Sequence, residues 1–443
     1  MAHDWHRQPA AELGRGIAAG KIDPVDLTES YLDAIAAHQF ADRIYARLTP
    51  DRARAEAQAA RNRAKQGQRL SPLDGVPISW KDLFDTAGVE TEAGSRLLAG
   101  RVPSQDATVL RNATAAGLVC LGKTHMTELA FSGIGLNPMT ASPPNINDPE
   151  AASGGSSSGA AASVAYHLAP IGIGSDTAGS VRLPAAWNDL VGLKTTHGRL
   201  SLAGVVPLCP KFDTVGPLAH SVEDAALMLA ALEGAPPPDL TGATLAGVRF
   251  GILNTVATDQ AEDTPKAGFE AAVSRLATKG ATITEIDVPA VAEAMELAQI
   301  LFGSEAYGTW KDKIEENPDA MFDNVLQRFR GGASFAAADY VAAWHRLTQL
   351  RAEYFDATAG YDGVLLPTCP ILPPNQQKLS EDPEFFVERN LATLRNTRIG
   401  SLLDCPSLTL PTGTPSVGLL LQGPPQSEAR LLRLGAAVEA ALA

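Results

Sequence analysis

Histidine and cysteine are scarce in this chain, and their scarcity limits the chemistry available to it. There are eight histidines and four cysteines in 443 residues. Cys120, Cys209, Cys369 and Cys405 are scattered, with no CxxC pair and no histidine-rich neighbourhood, so neither a zinc site nor a disulfide framework is expected. His3 and His6 stand three apart near the start and are read as part of a solvated tail, so no metal is expected. Basic residues are outnumbered: 36 Lys and Arg face 50 Asp and Glu, a formal net charge of −14. That balance opposes an undirected grip on nucleic acid or an anionic membrane. No run approaches ~18 apolar residues, so no membrane span is expected. The N-terminal MAHDWHRQPAAELGRG lacks the apolar core of a signal peptide, and a cytoplasmic protein with reduced thiols is expected.

What is present is ordinary globular composition, 45% hydrophobic and 19% charged, arranged as alternating helix and strand signals. DPVDLTESYLDAIAAH (23–38) has an Asp N-cap with Pro at the first helical position. A second, mostly solvated helix (50–67) ends at Gly67. GVPISWKDLF and LVCLG read as short strands around the helix DATVLRNATAAG, and HLAPIGIG as a further strand. HSVEDAALMLAALEG has Ser221 and Asp224 in capping-box spacing and closes on Gly234. Beyond a Pro-rich stretch (235–246), VRFGIL and ATITEIDV read as strands flanking a helix. Residues 290–357 are mostly helical, and YDGVLLPTCP and PSLTLPTG are apolar strands. The pattern predicts an α/β fold with a large central mixed sheet covered by helices on both faces. Strand signals resume past 246, so residues 1–443 are read as one domain.

Two nucleotide-like motifs carry no such chemistry. GLVCLGKT (117–124) fits the phosphate-loop pattern, but its middle residues belong inside a sheet, and it reads as a buried strand ending in a Gly-Lys turn. GIGSDTAG (172–179) has Thr177 where a dinucleotide fingerprint needs its third glycine. No cofactor is expected.

AASGGSSSGAAAS (151–163) has the composition of a flexible tether. It leads instead into a small-residue helix, an apolar strand and a second Gly/Ser turn at Asp176–Ser180. Two such turns joined by a short helix and a strand would face one site and present backbone N–H groups to a developing negative charge. No histidine is suitably placed in these segments, so Ser-His-Asp chemistry has little support. A serine nucleophile would then need another base. Lys81, just after the run GVPISW, could be a lysine kept neutral by burial or an ordinary surface lysine.

GGSSSGAAASVAYHLAPIGIGSDTAGSVRLPA (154–185) resembles, position by position, the signature of the amidase signature family. DGVPISWKDLFDTAG, LGKTHMTELAFSG, VGLKTTHGRLS and FDTVGPLAHSVEDAALML are similar to its other blocks. The resemblance is strongest over 70–235. It implies a Ser-cisSer-Lys triad: Lys81 as base, Ser156 as bridging serine behind a cis Gly155–Ser156 bond, and Ser180 as nucleophile. It also implies an oxyanion hole from the backbone N–H groups of Thr177, Ala178, Gly179 and Ser180. Met126 would line the acyl pocket or pack in the core, and Ser157, also a candidate for the substrate pocket, would support the relay or stabilise its loop. Asp176, Arg182 and Asp213 would be structural. Ala178 replaces the family's usual glycine, so its φ must be negative. The activity implied is hydrolysis of a carboxylic amide to acid plus ammonia or amine. The alternative is the glutaminase component of a tRNA-dependent amidotransferase. The expected partner is a small-molecule amide, with no direct nucleic acid and no membrane; family members are commonly dimers, which extends to a homodimer here.

Overall fold

The computed structural model describes residues 5–443. Eleven strands form one mixed sheet: β1 (Tyr45–Leu48), β2 (Pro77–Lys81), β3 (Val119–Thr124), β4 (Ile171–Asp176), β5 (Val191–Lys194), β6 (Thr214–Ala219), β7 (Arg249–Leu253), β8 (Thr282–Ile286), β9 (Gly363–Pro367), β10 (Ser407–Pro411) and β11 (Gly418–Gln422). Their order is β1-β3-β2-β4-β6-β5-β10-β11-β9-β7-β8. Strands β3, β2 and β4 run parallel, as do β9, β7 and β8, and the strands between are antiparallel. The Pro-rich 235–246 stretch carries no regular element, yet the strands beyond it join the same sheet.

Local signals act where they are written. Asp23 accepts a hydrogen bond from Val25 N–H (2.9 Å) to open the helix Pro24–Ala37. Ser221 caps Val222–Glu233 through Asp224 N–H (3.1 Å), and Gly234 closes it at φ 70°. The phosphate-loop lookalike is strand β3, buried at all six positions. It differs from expectation in having no Gly-Lys turn: pairing continues through Thr124, and Lys123 Nζ is buried against Asp82 (3.2 Å) and Thr91 (3.0 Å). His3 lies outside the described residues. His6 is not a solvated group: it lies 3.1 Å from the Ser30 carbonyl, edge-on to Tyr31.

The main core spans the sheet, from Trp80 and Ile173 to Leu365 and Leu420. Helices Pro289–Glu296, Ala298–Glu316, Asp323–Arg330 and Ala337–Thr358 supply the expected 290–357 layer. Strands β2 and β4 deliver Lys81 and Asp176 at their C-terminal ends, the edge where parallel sheets usually hold ligands. Among the described residues no helix is long and apolar enough to cross a membrane.

Candidate active site

Lys81 ends β2 with its side chain wholly buried. Its Nζ lies 2.7 Å from Ser156 Oγ and 2.8 Å from Ser175 Oγ. Burial drives the amine down to about 7 against the pull of Asp176 and Asp213, which would raise it. Burial thus favours the neutral amine, and the lysine is the buried one of the two alternatives that the sequence left open.

Ser156 sits in the Gly/Ser run, which is a packed loop rather than a tether. The Gly155–Ser156 peptide bond is cis. Gly155 N–H donates to the Gly133 carbonyl (2.7 Å), and a Cβ at Gly155 would fall 2.7 Å from Gly135 N, so only glycine allows the approach. Ser157 N–H donates to the Ser180 carbonyl (3.2 Å), which stitches the first turn to the second. Ser157 Oγ donates to the Ser175 carbonyl and accepts from Ser175 N–H, so this side chain fastens its loop to β4.

The second turn is organised by Asp176. Its carboxylate accepts from the N–H groups of Gly179 (2.7 Å), Val181 (3.1 Å) and Arg182 (3.3 Å), and from Arg182 Nε and Nη2. Burial alone would raise this carboxyl, but the adjoining guanidinium holds it below the ordinary range. Arg182 also reaches the Thr397 carbonyl and Ser401 Oγ, tying the turn to the helix Arg395–Leu402. Asp213 accepts from Thr177 Oγ1 (2.5 Å) and from the N–H groups of Leu208 and Cys209. Both carboxylates are thus turn-builders.

Ala178 is not among the residues with positive φ, as expected, while Gly179 takes φ 144°. A Cβ at Gly179 would lie 2.1 Å from Thr397 Oγ1. Of the four N–H groups proposed for the oxyanion, that of Gly179 is occupied by Asp176. Those of Thr177, Ala178 and Ser180 donate to no group among the described residues.

Thr177, Ala178 and Ser180 line a narrow cleft that opens to solvent. Its apolar side includes Phe131, Leu208, Phe302 and Leu394, and Ser132, Cys209, Arg328 and Arg398 are also part of the lining. Met126 does not line this cleft. It follows the buried end of β3 and packs in the main core, its carbonyl held by Asn137 Nδ2 (2.8 Å).

Sequence reasoning missed three residues of this site. Ser175 was absorbed into the false dinucleotide motif, although a serine closing an apolar strand beside Asp176 is a usable signal. Arg328 and Arg398 lie far downstream on helices that carry other arginines, and nothing in the sequence separates them from ion-paired neighbours such as Arg330, which meets Glu315 (2.7 Å).

The sequence model of the family described as Amidase matches residues 26–432. The A subunit of glutamyl-tRNA(Gln) amidotransferase from Chloroflexus aggregans is 34% identical over 98% of this chain and 96% of its own length. The 2-amino-5-chloromuconic acid deaminase of Comamonas testosteroni is 34% identical over 97% of this chain and 96% of its own length. Among solved structures, one described as an amidase aligns with a TM-score of 0.87 at 30% identity, over 98% of this chain and 99% of the other. The native peptide amidase of Stenotrophomonas maltophilia aligns with a TM-score of 0.80 at 28% identity, over 98% and 96%. This chain belongs to the Amidase family and is an amidohydrolase acting on linear carboxylic amides.

Proposed function

We propose that Ser180 is the nucleophile, Ser156 the bridging serine and Lys81 the base of a self-sufficient amidase. The observation that carries this reading is the buried Lys81 Nζ, 2.7 Å from Ser156 Oγ behind a cis peptide bond, on a loop stitched to the Ser180 turn. Neutral Lys81 takes the Ser156 proton while Ser156 takes that of Ser180, whose Oγ attacks the amide carbon. The C=O electron pair moves to oxygen, where the N–H groups of Thr177, Ala178 and Ser180 would receive it; Gly179 would have to release Asp176 to join them. The proton returns through Ser156 to the amide nitrogen, the C–N bond breaks, and ammonia or an amine leaves. Water, deprotonated by the same relay, hydrolyses the acyl-enzyme to the acid. Ser175, as the second partner of Lys81 Nζ, would orient it.

A cytoplasmic setting fits four buried free thiols, Cys120, Cys209, Cys369 and Cys405. The homodimer belongs to this reading as an expectation from the family. A second reading, a glutaminase working within an amidotransferase complex, is favoured by the near full-length likeness to the amidotransferase relative from Chloroflexus aggregans.

The test is ammonia and amine release by the purified chain alone from aliphatic, aryl and dicarboxylic amides and glutamine, beside Ser180→Ala. Turnover falling by about 10⁴-fold or more in the variant is expected. Full activity in Ser180→Ala would overturn the assignment. Release from glutamine that appears only with partner subunits would favour the second reading.

A further inference from the structure

Four arginines set into the fold meet carboxylates. Arg182 meets Asp176, Arg63 meets Asp74, Arg52 meets Asp106 and Arg47 meets Asp82. Arg328 and Arg398 do not. Arg328, on the helix Asp323–Arg330, donates Nη1 to the Phe131 carbonyl (2.9 Å) and lies 4.3 Å from the centre of the Phe131 ring. Arg398, on the helix Arg395–Leu402, makes no side-chain hydrogen bond or ion pair with any described residue. Both line the cleft beside Ser180, and both also line the wider depression outside it. Glu296 is on that outer depression and pairs with neither.

Desolvating a cation with no counter-charge is unfavourable, and placing a second cation beside it adds repulsion. Burial depresses Arg328 to about 9, with Arg398 pushing the same way, and burial alone takes Arg398 to about 10. Both remain cations at neutral pH. Arg328 and Arg398 are only half-buried and reach the solvent of the cleft, and inside the fold Arg398 meets no counter-charge among the described residues. An anion placed between the two guanidinium groups would supply the missing counter-charge, and a carboxylate matches their planar donor fork.

We propose that the amide substrate carries a free carboxylate, bound between Arg328 and Arg398 while its carbonyl lies at Ser180. This rests on the Ser180 reading above and narrows it to small anionic amides. The apolar side of Phe131, Phe302 and Leu394 then holds the carbon chain between the charged end and the scissile bond.

The test compares matched substrates on the full chain: succinamate against butanamide, with the carboxylate on the acyl side, and N-acetylglycine against N-propylacetamide, with it on the leaving group. One anionic member should exceed its neutral partner by about 10- to 100-fold in kcat/KM, the worth of a hydrogen-bonded charge pair. Whichever pair shows the preference locates the carboxylate. In Arg398→Gln the preference should collapse towards one, mainly through KM, and Arg398→Lys should retain part of it. Equal rates within both wild-type pairs, or a preference unchanged in Arg398→Gln, would overturn the proposal while leaving the amidase reading intact. Should no amide be cleaved, the Ser180 reading is the one that fails. Calorimetry with succinate on the Ser180→Ala protein then decides the proposal by itself: binding that is lost on adding Arg398→Gln supports it, and no binding overturns it.

Discussion

Two regions of the chain meet at the cleft, and they differ in how their charges are answered. The region drawn from residues 74–220 holds Lys81, Asp176, Arg182 and Asp213 in a network where each meets hydrogen-bond partners inside the protein. The helical region drawn from residues 300–400 presents Arg328, with one carbonyl partner, and Arg398, with none among the described residues. Buried groups with partners inside the protein fix a geometry, whereas half-exposed cations at a cleft with no counter-charge inside the fold can meet a ligand there. The first region thus positions the residues assigned to the relay, and the second is where the proposed carboxylate would be held.

Breaking the first region should cost the fold, and breaking the second should not. Asp176→Ala removes the acceptor of three backbone N–H groups and strands the Arg182 guanidinium in a dry site. A loss of about 3–5 kcal/mol is expected, measured by denaturant unfolding, together with loss of activity. A loss below about 1 kcal/mol would mean that the turn is held by other contacts.

Arg398→Gln, the matching change in the second region, should lie within about 0.5 kcal/mol of wild type or be more stable, because only repulsion and desolvation are removed. Ser175→Ala falls between the two in kind. It deletes one partner of Lys81 Nζ without touching the relay, and about a 10-fold fall in kcat is expected. Because the ammonium form would lose an acceptor, the acid limb of the pH profile should also move to lower pH. An unmoved limb would mean that Ser175 does not tune Lys81.

The same contrast explains what could be read from the sequence. The central strands, the capped helices and the signature loop were legible because each is written in contiguous residues: apolar runs, an Asp-Pro start, a Gly/Ser run. Strand β6 was not, since Gly216 and Pro217 read as strand breakers although the segment pairs on both sides, with β4 and β5. Strands β1 and β5 are only four residues long, too short to show a period. Lys81 and Ser156 could be named by resemblance, but their hydrogen bond joins residues 75 apart in sequence. The helical region was the least legible. What distinguishes Arg398 is the absence of a nearby carboxylate, a property of the fold that no local pattern encodes.

The central claim is that a lysine neutralised by burial activates Ser180. The most direct test is the pH dependence of Ser180 labelling by a serine-directed fluorophosphonate, followed by intact mass and peptide mapping in wild type and Lys81→Ala. The rate in wild type should rise with pH through about 7, because Lys81 becomes a base as it loses its proton there. In Lys81→Ala the rate should fall steeply and that limb should vanish. Labelling at another residue, or the same rate and profile in Lys81→Ala, would contradict the account.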